Sequence, residues 1–168
     1  MKIALVGKGG SGKSSVSWLI TEAFLAAGKK VLAIDADQNA DLAHNLGISD
    51  VSELPWFNNA ESDIYEYFKL HKDEKAMQVI GKNVSPFLLD PKDTLTQKYS
   101  REIKNNLHLI VTGNHHPDSL WSGRCTHAYM KATKFYLPYL QVPDDWVVVV
   151  DSPAGTDMIT YGLHLGVD

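Results

Sequence analysis

Residues 7 to 14 read Gly7-Lys8-Gly9-Gly10-Ser11-Gly12-Lys13-Ser14, a glycine-rich stretch that ends in a lysine and a hydroxyl. This is the pattern G-x-x-x-x-G-K-[ST], and each residue type in it serves phosphate chemistry. Glycines let backbone N–H groups approach phosphate oxygens, and a helix beginning at the loop adds positive potential. Lys13 is suited to reach terminal phosphates, and the Ser14 hydroxyl to bind Mg²⁺. Two acidic segments complete the set. Asp35-Ala36-Asp37-Gln38-Asn39-Ala40-Asp41 and Asp151-Ser152-Pro153-Ala154-Gly155 each begin where an apolar run stops. A carboxylate so placed can hold metal-bound water or orient an attacking one, and positioning needs a fixed acceptor rather than a strong base.

The surrounding residues predict the elements that would deliver these groups. Ile3 to Val6 is a short apolar run ended by Gly7, which reads as a strand buried on both faces. Val16, Leu19, Ile20, Ala23, Phe24 and Ala27 recur at helical spacing, with Gly28 as the stop. Val31 to Ile34 is a second strand, ending at Asp35. Strand, helix, strand in this order implies a parallel sheet, whose carboxyl end is where ligands bind. Leu107 to Val111, closed by Thr112 and Gly113, and Trp146 to Val150, closed by Asp151, repeat the strand pattern. The fold class is therefore α/β, a predominantly parallel sheet of about four strands flanked by helices. The long stretch between the second and third strands reads as mostly helical. Ile64 and Phe68 lie one turn apart, a short helix spans Asp73 to Ile80 before Gly81, and Phe87 to Leu89 is an extended connector between Pro86 and Pro91. A last helix from Ala128 to Leu140 is expected to break near Pro138.

With Lys8 included, the sequence Gly-Lys-Gly-Gly-x-Gly-Lys resembles the deviant Walker A motif of the MinD, ParA and nitrogenase iron-protein group of P-loop ATPases. The resemblance implies a P-loop NTPase fold, with ATP and Mg²⁺ as cofactors. It places Gly9, Gly10, Ser11, Gly12, Lys13, Ser14 and Ser15 around the nucleotide. It makes Lys8, Lys13 and Asp37 the catalytic residues, Asp37 matching the aspartate that positions the attacking water. Lys8 would reach across a homodimer bridged by ATP to the partner's nucleotide, in the manner of an arginine finger. Asp151 would bind Mg²⁺ through water beside Ser14, and Gly155 would sense the γ-phosphate. Family members often carry proline after the catalytic aspartate, where this chain has Gln38.

Further on, Leu89-Asp-Pro-Lys-Asp93, Lys98-Tyr99, Leu107 to Gly113 and Ser122-Gly-Arg-Cys-Thr-His127 are similar to the CooC-type accessory ATPases that load nickel into carbon monoxide dehydrogenase. In that family a Cys-x-Cys pair follows the third strand, and two subunits pool their pairs on one metal ion. Here the second position is His127, followed by Ala128. A thiolate from Cys125 and an imidazole from His127 in each subunit would make an S₂N₂ site, suited to zinc, nickel or cobalt. Residues i and i+2 do not share a helix face, so that site requires a loop or extended segment at 125 to 127. His115 and His116 are candidate supplementary ligands, and Trp121 a candidate for interface packing. The resemblance thus implies an ATP-hydrolysing dimeric switch with a metalloenzyme client. Three alternatives stand beside it: a positioning or partition ATPase acting on DNA or membrane, a nucleotide-dependent scaffold without a metal role, and an electron donor. The last requires two cluster cysteines per subunit.

Composition narrows the classes. The 168 residues predict one domain, and 44% hydrophobic with 21% charged side chains is ordinary for a globular protein. Sixteen basic against twenty acidic side chains, a net charge of -4, argues against an indiscriminate nucleic-acid binder. Cys125 is the single cysteine, so no disulfide forms within the chain, and a cytoplasmic location is expected. No apolar run approaches the roughly 20 residues that span a bilayer. The resembling ATPases continue beyond the segment that follows Gly155, into elements that complete the sheet and contact the base. Residues 1–168 are therefore expected to be one P-loop NTPase domain, C-terminally incomplete relative to the family. The strand before the glycine loop is then expected to show an apolar edge, left open or covered by another chain.

Overall fold

A computed structural model describes residues 1–69, 87–89, 93–113, 130–160 and 162–168. The expected helix at Asp73 to Ile80, and the residues Cys125, His127, His115, His116 and Trp121, lie outside the described residues.

Four parallel strands form the frame: β1 (Lys2–Leu5), β2 (Lys30–Asp35), β5 (Leu107–Val111) and β7 (Trp146–Asp151). A fifth, β4 (Arg101–Lys104), pairs antiparallel with β5, so the sheet order is β1-β7-β2-β5-β4. Sequence reading missed β4 because Arg-Glu-Ile-Lys carries no apolar run; it is an outer strand with mostly exposed residues. Phe87 and Leu88 form β3, which pairs with β6 (Leu140–Gln141) in a separate two-stranded sheet, rather than a bare connector.

Side chains alternate faces along a strand, so each run serves two cores. Val31, Ala33, Leu107, Leu109, Val111, Val147 and Val149 belong to one cluster, and Leu32, Ile34, Ile110, Val148 and Val150 to the other. The first cluster is covered by α1 (Lys13–Ala26) and α2 (Asp41–Asn45). The second holds an aromatic group from the long middle stretch and beyond: Phe57 lies edge-on to Tyr136 and Tyr99, at 5.0 Å and 5.5 Å between ring centroids. The middle stretch contributes α3 (Glu61–Phe68), whose Ile64 and Phe68 are both buried, and α4 (Thr94–Tyr99). Helix α5 (Lys131–Tyr139) begins later than expected and runs through Pro138, which sits in its last turn. The chain leaves the helix directly after it, and Lys2 Nζ donates to the carbonyls of Leu137 and Leu140 there.

Two expectations need correction. β1 is half-buried rather than enclosed, because it pairs with β7 alone among the described strands. The apolar stripe of α1 is split: Ile20 and Phe24 pack on the core, whereas Val16 and Leu19 are exposed. The helix turns Ser17 and Thr21 to the interior instead, and Ser17 is hydrogen-bonded to Asp151.

Helix α6 (Asp157–Thr160) and a short 3₁₀ turn, Leu163–Gly166, end the chain. Among the described residues no helix is long and apolar enough to cross a membrane.

Candidate functional site

The glycine loop leaves β1 and enters α1 with Gly12 at φ 83° as the helix N-cap, a left-handed conformation that a side chain resists. Ser11 N–H donates to the Lys8 carbonyl at 3.2 Å, closing the turn. Lys13 Nζ donates to the same carbonyl at 3.2 Å, while Lys8 itself is exposed. On the far side, Gly155 N–H donates to the Gly7 carbonyl at 2.9 Å, and Ser152 is hydrogen-bonded to the Leu5 carbonyl. The segment after β7 is thereby laced to the start of the loop.

A cleft of about 390 Å³ lies over the loop, bounded by Gly9, Gly10 and Gly12 to Ser15, by Asp37 and by Ala154, while Ser11 and Lys8 do not line it. Of the residues singled out in the sequence, Gly9, Gly10, Gly12, Lys13, Ser14, Ser15 and Asp37 line this one cleft. Its remaining wall comes from Asn39, Asp41, His44 and Asn45 in and before α2, which sequence reading had not assigned. A second groove, between α3 and α4, is lined by Asp63, Glu66, Tyr67 and Lys98, with Lys98 and Asp63 already paired at 2.6 Å.

Asp151 stands beneath the cleft at the tip of β7, with no exposed surface. Its Oδ1 accepts a hydrogen bond from Ser17 at 3.0 Å, and the Ser14 hydroxyl is near enough to favour its charged form. Its Oδ2 is buried and makes no hydrogen bond. Burial pushes the carboxyl above its ordinary value, opposed by the two serines and by the charge of Lys13. An unpartnered buried carboxylate oxygen with a serine hydroxyl nearby is an oxygen donor set that fits a hard cation such as Mg²⁺. Ser17 has a sequence signal after all: it lies three residues, about one helical turn, beyond Ser14.

Asp37 is half-buried at the mouth of the cleft. Its Oδ1 accepts from Asn39 N–H at 3.0 Å, and its carbonyl accepts from Ala40 N–H at 3.2 Å, winding the loop around this residue. Ala40 then takes φ 55°, an unfavourable conformation for alanine. Asp35, at the end of β2, is fully buried; its Oδ2 accepts from Ala43 N–H at 2.9 Å and its Oδ1 from Asp37 N–H at 3.3 Å. Burial pushes this carboxyl up to about 8, the two N–H donors pulling it down and the charge of Asp151 raising it further.

Just after β5, Thr112 N–H donates to the Asp35 carbonyl, and Gly113 follows at φ 98°. A Cβ at Gly113 would lie 2.7 Å from Trp56, so this turn admits only glycine without rearrangement.

A strand, a phosphate-type loop, a helix and two strand-end carboxylates around one cleft define a P-loop nucleotide-binding domain. The sequence profile described as "CobQ/CobB/MinD/ParA nucleotide binding domain" matches residues 3–111, and the chain belongs to that family. It is 28% identical over 169 residues to an uncharacterized ATP-binding protein of Methanocaldococcus jannaschii, covering 100% of this chain and 64% of that one. A second uncharacterized ATP-binding protein of that organism is 29% identical over 162 residues, 94% of this chain and 56% of the other. The carbon monoxide dehydrogenase accessory protein CooC of Rhodospirillum rubrum is 48% identical over 48 residues, 29% of this chain and 18% of CooC. The chain thus spans less than two thirds of these relatives. Among solved structures, a putative plasmid partition protein of Borrelia burgdorferi B31 bound to AMPPNP is similar with a TM-score of 0.53 and 20% identity, over 99% of this chain and 59% of that one. Apo McdA of Cyanthece is similar at 0.51 and 18%, over 96% and 52%. These likenesses show the fold.

Proposed function

We propose that the chain binds MgATP in the cleft over residues 9 to 15 and hydrolyses it to ADP and phosphate, as a dimeric switch for metallocentre assembly. The observation that carries the reading is the convergence of Lys13, Ser14 and Asp37 on one cleft, with Asp151 tied to the same helix through Ser17 and its Oδ2 unpartnered. The water oxygen attacks the γ-phosphorus, the bond to the β–γ bridging oxygen breaks, and its electron pair stays on ADP. Asp37 accepts a hydrogen bond from that water and fixes its line of approach. Lys13 neutralises charge on the terminal phosphates. Ser14, and Asp151 through water, would hold Mg²⁺, which would supply charge neutralisation to the phosphates.

Lys8 is exposed at the rim of the loop, which supports its reaching a nucleotide in a second copy. The CooC match and the Cys125-x-His127 sequence support a metalloenzyme client and a nickel or zinc ion shared by two subunits. The half-buried β1 supports a reading in which another segment or chain covers that sheet edge. Equilibrium binding tests the site itself: Lys13→Ala is expected to abolish ATP affinity, and retained tight binding would overturn the assignment.

A further inference from the structure

Asp35 is the carboxylate for which the proposed reaction has no use, yet it is among the most buried in the molecule. Its two oxygens are spent on two backbone N–H groups, Asp37 and Ala43. These are the two ends of one segment. Between them the chain turns through the Asn39 hydrogen bond and the left-handed Ala40, and then starts α2. A loop that contains a strained residue holds its shape only when its surroundings fix it. One rigid carboxylate, itself anchored at the end of a central strand, fixes both of its ends.

We infer that Asp35 is the positioning residue of this segment, a staple across residues 37 to 43 that sets where the Asp37 carboxylate meets the attacking water. The inference rests on the proposed hydrolysis at this cleft. Asp35 makes no contact with nucleotide; it acts through the backbone of Asp37.

Two variants test this from opposite sides. Asp35→Asn keeps one acceptor oxygen and turns an NH₂ group toward the other N–H. Ala43→Pro removes one donor, an N–H that makes no bond within α2 and is bonded to Asp35. Steady-state ATP hydrolysis and amide hydrogen exchange are measured on both and on the wild type. The staple predicts that kcat falls at least ~10-fold while KM for ATP stays within ~3-fold, the signature of lost positioning. The Asp37 amide is expected to exchange faster in Asp35→Asn while amides of β2 and β7 keep their protection. Unchanged kcat in either folded variant would overturn the inference, as would kcat and KM failing together. If Asp35→Asn does not fold, Ala43→Pro decides by the same split. A wild type without ATPase activity would instead overturn the functional reading, and the Asp37 amide would still report on the staple.

Discussion

Asp35 and Asp151 are register partners on the adjacent strands β2 and β7, and neither has exposed surface. Each ends its strand, and each ties a different helix. Asp35 accepts from Ala43 in α2, and Asp151 from Ser17 in α1. The two helices that frame the cleft are thus hung from one pair of neighbouring carboxylates at the carboxyl end of the sheet. Ala36 N–H donates to the Asp151 carbonyl and Thr112 N–H to that of Asp35, so the strand ends are also joined to one another.

The Ser17 hydrogen bond is buried, so its loss is expected to register in stability. Ser17→Ala leaves Asp151 with fewer donors in a place that water does not reach. Urea unfolding of the metal-free protein is expected to show a loss of ~1–3 kcal/mol. An unchanged midpoint would mean that the serine does not support the carboxylate.

His108 on β5 gives a pH signature separate from the cleft. Its half-buried ring lies 5.4 Å from the Trp146 ring, and burial lowers its proton affinity below the ordinary 6.5, with the Glu102 charge opposing. Between the lowered value and 6.5 the unfolded chain binds more protons than the folded one, so stability rises with pH across that window. Above it the contribution is constant. Unfolding free energies from about pH 5 to about pH 7 are expected to show a shallower slope in His108→Gln than in the wild type. Equal slopes would contradict the burial argument.

Much of this arrangement was legible in the sequence, for physical reasons that differ by element. The valines of β7 and the run Val31 to Ile34 announce central strands because both of their faces are buried. The glycine loop announces itself by a spacing that only close backbone approach requires. β4 was not legible, since an outer strand needs no apolar run. The orientation of α1 was hidden as well: apolar spacing pointed Val16 and Leu19 inward, but Ser17 is the residue that faces Asp151. The α2 wall and the Asp35 staple depend on hydrogen bonds to backbone, which leave no pattern in residue types.

Lys8 provides the test of assembly. In an Asp37→Asn background that holds ATP, light scattering is expected to show the mass of a dimer with MgATP and of a monomer without nucleotide. Adding Lys8→Ala is expected to keep the chain monomeric under both conditions. A dimer that persists without Lys8 would remove the proposed bridging role.

The metallocentre reading stands on Cys125 and His127. Reduced protein purified with nickel or zinc is expected to retain ~0.5 ion per chain, one per dimer, by elemental analysis. Cys125→Ser and His127→Ala should each lose it while ATP affinity is kept. Metal content equal to that of the variants would favour a nucleotide-dependent switch without a metal cargo.

The proposed chemistry is ATP turnover in this cleft, with Asp37 orienting the water. Phosphate release by the wild type and by Asp37→Asn, each at saturating MgATP, measures it most directly. Mg²⁺-dependent turnover is expected in the wild type, with a loss of ~100-fold or more in Asp37→Asn and ATP affinity retained. Turnover that is equal in the two proteins, or absent from a wild type that binds ATP, would contradict it.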